Sequence, residues 1–198
     1  MKSPSAHPRQ KLILFTLAAL QFSHVMDFMI MMPLGPQLMR VLNFGPREFS
    51  FLVSSYNLSA GIASLIVSVF IDRFPKKKSL LFFFVFFLIG TALCALALSY
   101  SFLHAARIFA CFSGGVLGGL SLSVVSDLVP YQNRGRAVGV VSTGFSAASV
   151  FGVPLGLYFA NLFSWHIPFL LIVFFGLFIL ALVIKVIPPI PLPAISTR

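Results

Sequence analysis

From Phe49 to Ile71 the chain carries no charged residue, and from Ser79 to Ala106 it carries none again. A bilayer core about 30 Å thick is crossed by about 20 apolar residues in helical form. Each run is therefore long enough to span a membrane, and the runs recur along the chain. Between Leu12 and Met39 the only charge is Asp27. The run from Ser79 continues past Arg107 to Ser126, too long for one span, and Ser99-Tyr100-Ser101 with His104 marks a turn inside it. Six spans are predicted, at about 12–36, 49–71, 79–99, 102–127, 137–162 and 167–186. They form one six-helix domain over 12–187, preceded by residues 1–11 and followed by a proline-rich stretch, 188–198, that reads as an extended linker or tail. The fold class is all-α integral membrane. The runs are continuous and far longer than barrel strands of about 10 residues, so a β-barrel is excluded.

Composition agrees. Of 198 residues 59% are apolar and 9% charged, with 14 Lys and Arg against four acids. A soluble domain carries about 25% charge. The net charge of +10 does not mark a nucleic-acid partner, because the bases lie in short gaps between apolar runs rather than on one face. With both termini on one side, that side collects Lys2, Arg9, Lys11, Arg73, Lys76, Lys77, Lys78, Arg134, Arg136, Lys185 and Arg198; the other holds Arg40 and Arg47. By the excess of cytoplasmic Lys and Arg, both termini are expected in the cytoplasm of a multi-pass plasma membrane protein, a bacterial inner membrane being the expected setting. The first run continues past the length of a signal peptide and has no small-residue cleavage site. Cys94 and Cys111 sit inside apolar runs without metal spacing. No cofactor, no metal and no enzymatic activity are expected, because no nucleophile–base set or metal cluster is recognisable.

Two charges break the apolar rule, and each costs about 2.5–3.5 kcal/mol to insert. Asp27 lies in the first span and Arg107 in the fourth. Counted from the expected span ends, both sit about 8–9 Å below the outer surface. Opposite charges at equal depth suggest an ion pair, or a pair across a water-filled cavity. The functional reading makes Asp27 a proton or cationic-substrate site with Arg107 tuning it; the bland one is a static pair that positions two helices. His24 lies three residues before Asp27 and shares its face, where it could relay protons or simply bond a neighbouring helix. Tyr56 and Asn57 make a weaker polar spot on the second span, for which packing is at least as good a reading as function. Gly114-Gly115 and Gly118-Gly119 form overlapping Gly-x-x-x-Gly pairs that allow close helix approach. In the fifth span Gly152, Pro154 and Gly156 favour a packable kink. The Phe82–Phe87 run is read as lipid-facing bulk. Asp72, Arg73, Asp127, Arg134 and Arg136 could form one network on the inner face, or be topology signals only; Asp72 is not needed for topology.

These residues together resemble the N-terminal half of a major facilitator superfamily transporter, nearest the proton-driven drug or sugar efflux branch. Asp72, Arg73, Lys76 and Lys77 match that family's loop between helices two and three, with Ser68 and Pro75 in place of its glycines. Arg107 matches the helix-four arginine. Asp127 with Arg134-Gly135-Arg136 resembles the charged end of helix four, and Gly152-Val153-Pro154-Leu155-Gly156 the helix-five antiporter motif. Trp165-His166-Ile167-Pro168-Phe169 is similar to the segment before helix six, and Asp27 falls where efflux members carry a helix-one acid. The resemblance implies helices one, two, four and five around a cavity, and alternating access coupled to protons. It also implies an inner latch of Asp72, Arg73, Asp127 and Arg134. Such transporters have twelve spans, whereas six are counted here. The expected partners are thus a small-molecule substrate, protons, the lipid bilayer, and either a C-terminal half or a second copy. The alternatives are a truncated, non-transporting membrane protein and a half-transporter that homodimerises.

Overall fold

The computed structural model describes residues 8–189, except for the side chains of Pro8 and Asp72. Among the described residues the regular structure is helical: α1 (Pro8–Met29), α2 (Met31–Val41), α3 (Pro46–Phe70), α4 (Lys76–Ala95), α5 (Tyr100–Leu128), α6 (Arg134–Ala147), α7 (Val153–Leu162) and α8 (Ile167–Val186). Short 3-10 turns at Ile71–Arg73 and Tyr131–Asn133 precede α4 and α6, and a π-helical turn, Ala148–Gly152, joins α6 to α7. Six stretches are long and apolar enough to cross a membrane: α1, α3, α4, α5, the α6–α7 stretch and α8.

Local chemistry sets the ends and breaks. The α1 ladder runs on into α2, with Ile30 N–H donating to Met26 and Leu34 N–H to Ile30. Pro33 has no N–H for the Met29 carbonyl, which accounts for the interruption at Ile30. Helix therefore continues, after the break at Ile30, to Val41, past the expected span end near residue 36. Pro154 has the same effect in the fifth stretch. It leaves the Val150 carbonyl without its usual donor, and just before it the Val153 N–H reaches back to Ala148, one residue further than in an α-helix. At α3, Pro46 opens the helix and Glu48 accepts from the Gly45 N–H at 3.0 Å. At α5, Ser99 Oγ accepts from Phe102 N–H at 3.3 Å.

The fifth helix of the chain, α5, is the hub: α4 and α3 pack on it, α1 packs on α6 and α8, and α4 packs on α8. Small residues permit the closest approaches. A Cβ on Gly90 would lie 2.6 Å from the Ala110 Cα, and one on Gly115 2.6 Å from the Ala60 carbonyl oxygen. Of the four glycines in the Gly-x-x-x-Gly pairs, only Gly115 is held so tightly. Gly114 and Gly118 have ordinary clearances of 3.7 and 3.8 Å, and Gly119 faces open space.

The phenylalanine run corrects one expectation. Phe82 is exposed, but Phe84 and Phe87 are among the largest fully buried side chains. Helical spacing turns 84 and 87 to one face, against the core shared with α5 and α8. The outer surfaces differ as well. On α8 the exposed set includes Phe174, Phe175, Leu177 and Phe178. On α3 and α6 exposed polar residues interrupt the apolar ones: Ser54 and Asn57, and Ser142, Thr143 and Ser146. α3 buries only Leu52 and Ala63 of its 25 residues.

Candidate functional site

The two intramembrane charges meet. Arg107 Nη1 donates to Asp27 Oδ2 at 2.8 Å, and Nη2 to the Asp27 backbone carbonyl at 3.2 Å. Both residues are 1% exposed. A buried carboxylate needs a partner for each oxygen, and Thr91 Oγ1 of α4 supplies the second, donating to Oδ1 at 3.4 Å. Three helices thus converge on one carboxylate. Arg107 is also held by aromatic faces, with its guanidinium carbon 4.8 Å from the Tyr56 ring centre and 5.9 Å from that of Phe169. Tyr56 is stacked in turn on Phe28 at 5.0 Å.

Asp27 is separated by about 20 Å of helix from Val41, where α2 ends, so it lies deeper along its helix than a span ending at residue 36 implies.

A cavity of about 450 Å³ lies beside the pair. Arg107, Tyr56 and Asn57 line it together with Phe28, Met29 and Ser149. Arg107 contributes to its wall; Asp27 does not, and sits behind the guanidinium. The wall is mainly apolar, with Phe28 and Tyr56, three methionines and three aliphatic side chains, surfaces that accept varied apolar shapes. The π-helical turn places Ser149 in it, with its hydroxyl 3.2 Å from Met29 Sδ and 3.0 Å from the Phe145 carbonyl.

His24 shares a helix with Asp27 but bonds elsewhere: its Nε2 is 3.0 Å from Gln21 Oε1, and its ring lies over Gly118 of α5. Cys94 and Cys111 are free thiols, both buried. Among the described residues no group of His, Cys, Asp and Glu is arranged to hold a metal ion.

At the basic end the charges divide differently from the expected network. Lys76 pairs with Asp127 at 2.8 Å, bridging the start of α4 to the end of α5. Arg134 Nε donates to the Val129 carbonyl at 3.2 Å and its guanidinium stacks on Tyr131; it closes the end of α5 and has no ion pair among the described residues. Arg73 lies over the Phe70 ring at 5.5 Å, and Arg136 is exposed. The side chain of Asp72 lies outside the described residues. Gly152 and Gly156 pack on α1 and Ile30, where a Cβ would meet Met26 at 3.2 Å and Ile30 at 2.8 Å; Pro154 is exposed.

Sequence reasoning passed over Thr91 and underrated Tyr56. Thr91 offered a signal, being the one hydroxyl between Leu80 and Leu98 in an otherwise apolar run. Tyr56 offered less, because a membrane tyrosine is ordinary and only its position opposite Arg107 gives it a role.

Residues 17–197 match the family model described as Major Facilitator Superfamily. The chain is 29% identical over 141 residues to the uncharacterized MFS-type transporter YwfA of Bacillus subtilis, an alignment covering 71% of this chain and 34% of that protein. It is 30% identical over 138 residues to Multidrug resistance protein 3 of the same organism, covering 70% of this chain and 27% of that one. Among solved structures, a bacterial homolog of the human lysosomal transporter Spinster, inward-facing and unoccupied, superimposes with a TM-score of 0.80 at 14% identity. That superposition covers 96% of this chain and 45% of the other. The chain thus spans about a third of the length of the curated relatives it matches, and under half of that structure.

Proposed function

The chain belongs to the Major Facilitator Superfamily, and we propose that it forms one wall of a proton-coupled efflux transporter for a small molecule, working by alternating access. The observation that carries this reading is the position of the ion pair. Asp27 is sealed from the cavity by Arg107, while Arg107 faces the cavity. Protonating Asp27 removes the charge that fixes the guanidinium. Arg107 can then turn toward the cavity and its occupant, so that proton and substrate act on one movable group. Thr91 and Tyr56 are positioning residues, the first for the carboxylate and the second for the guanidinium. His24 is a less direct participant, since it bonds Gln21. In this reading the basic end is cytoplasmic, and Lys76 with Asp127 forms the cytoplasmic latch beside Asp72, Arg73, Arg134 and Arg136. The π-helical turn with Gly152, Pro154 and Gly156 is where the α6–α7 stretch bends.

Members of this fold place substrate between two six-helix bodies. The polar residues exposed on α3 and α6, of which Asn57 also lines the cavity, support a second body there rather than lipid. Either the rest of a longer chain or a second copy supplies it, and the intact mass of the protein in its own membrane distinguishes the two. The mainly apolar lining, with Asn57, Arg107 and Ser149 as its polar groups, favours apolar or amphipathic substrates over sugars, which need several hydrogen-bonding partners.

The test is transport into everted membrane vesicles energised with a pH gradient, using a panel of lipophilic dyes and drugs. Uptake that collapses when a protonophore is added supports the reading. Uptake that persists without the gradient removes the coupling, and silence across the panel favours a chain that does not transport.

A further inference from the structure

Three consecutive lysines open α4, and the structure gives each a different setting. Lys76 is paired with Asp127 at 2.8 Å. Lys77 donates to the Ile184 carbonyl at 2.8 Å, near the end of α8. Lys78 is exposed and forms part of the wall of a groove of about 470 Å³ between the end of α3 and the start of α4. Apart from Ser79 the rest of that groove is apolar, with Ile66, Val67, Phe70 and Phe74 contributed by the end of α3 and the loop, and Phe82 and Phe83 by α4. Arg73 adds a second cation, its guanidinium 5.5 Å from the centre of the Phe70 ring that forms one wall. Among the described residues neither Lys78 nor Arg73 has an ion-pair partner.

We propose that this groove binds one anionic phospholipid, its phosphate between Lys78 and Arg73 and one acyl chain along Phe70, Phe82 and Phe83. Charge and position both select this occupant. The groove starts at the loop between two membrane helices, where headgroups lie, and runs about two helical turns toward the apolar interior. An apolar slot with cations only at its loop end matches the division of a phospholipid into tail and phosphate. A neutral apolar ligand leaves the cations unused, and a water-soluble phosphate leaves the slot empty.

Native mass spectrometry on the purified chain tests this, after equilibration with equimolar dioleoyl phosphatidylglycerol and dioleoyl phosphatidylcholine in detergent. The expected result is one retained phosphatidylglycerol in preference to phosphatidylcholine, and no loss when excess glycerol phosphate is added. Lys78→Gln should lower that retention about fivefold, the effect of one cation near an anionic surface, and Lys78→Arg should restore it. Val67→Trp, which fills the groove, should abolish retention of both lipids. Lys185→Gln, an exposed lysine at the same end of the molecule on α8, should leave retention unchanged. Equal retention of the two lipids overturns the proposal. So does an equal loss in Lys185→Gln and Lys78→Gln, which means diffuse attraction to the basic end. Lipid released by glycerol phosphate, or none retained by chain that keeps its helicity, overturns it as well.

Discussion

Two ion pairs in the molecule close over the same distance. Arg107 meets Asp27 at 2.8 Å, and Lys76 meets Asp127 at 2.8 Å. Their surroundings differ: the side chains are 2% and 1% exposed in the first pair, 13% and 32% in the second. The first has a third helix donating to the carboxylate and two aromatic rings on the guanidinium; among the described residues the second has no further partner. Distance therefore says little about what a pair does. Removing one partner of the inner pair strands a charge in an apolar interior. Removing one partner of the outer pair leaves a charge that water and headgroups can solvate. The inner pair is inner by burial, not by side of the membrane, and breaking it costs more than breaking the partly exposed pair at the basic end.

The largest expected effect comes from breaking the inner pair on one side. Arg107→Met leaves Asp27 uncompensated and should cost about 3–5 kcal/mol, read as a lowered thermal midpoint in detergent. Adding Asp27→Leu to Arg107→Met should recover much of that loss, because the stranded charge is gone. If the double variant is no more stable than the single one, burial is not what makes the inner pair demanding. Next is the packing that brings α3 beside α5 and so holds Tyr56 over Arg107. Gly115→Leu, against the Ala60 backbone, should cost about 1–3 kcal/mol as overpacking; an unchanged midpoint would mean that the helices separate freely. Thr91→Val removes one hydrogen bond to Asp27 at nearly constant volume and should cost about 1.5–3 kcal/mol, the range for hydrogen bonds to charged groups. Its 3.4 Å length points to the low end. Last, Lys76→Gln should cost under about 1 kcal/mol, and less in high salt, as partly exposed pairs do. A loss there as large as that in Arg107→Met would erase the contrast between the two pairs.

The sequence made the inner pair conspicuous for the same reason that makes it costly. A charge inside an uncharged run has few structural excuses, and Asp27 and Arg107 were legible on that ground alone. The six helices were legible too, because span length follows from bilayer thickness. What was not legible depended on rotation about helix axes. The run from Phe82 to Phe87 is apolar on every side, so nothing in it says which rings face α5; Phe84 and Phe87 turned inward. The inner-face charges were visible as a group, but their pairing was not. Lys76 rather than Arg134 reached Asp127, because Arg134 lies at the start of α6, where it closes the end of α5 instead. Helix beyond the expected end near residue 36 was not legible either: it breaks only at Ile30, before Pro33, and then runs through Pro36 to Val41.

The central claim is that Asp27 couples proton movement to substrate movement. Asp27→Asn separates the two, because it keeps the side-chain shape and leaves one oxygen to accept from Arg107. The most direct measurement compares two assays of this variant in the same vesicles: substrate counterflow, which needs no net proton movement, and uptake driven by a pH gradient. The account predicts that counterflow persists while gradient-driven uptake falls to background. Gradient-driven uptake at the unmodified protein's rate in Asp27→Asn would contradict it, and would leave the buried pair as a device that holds two helices together.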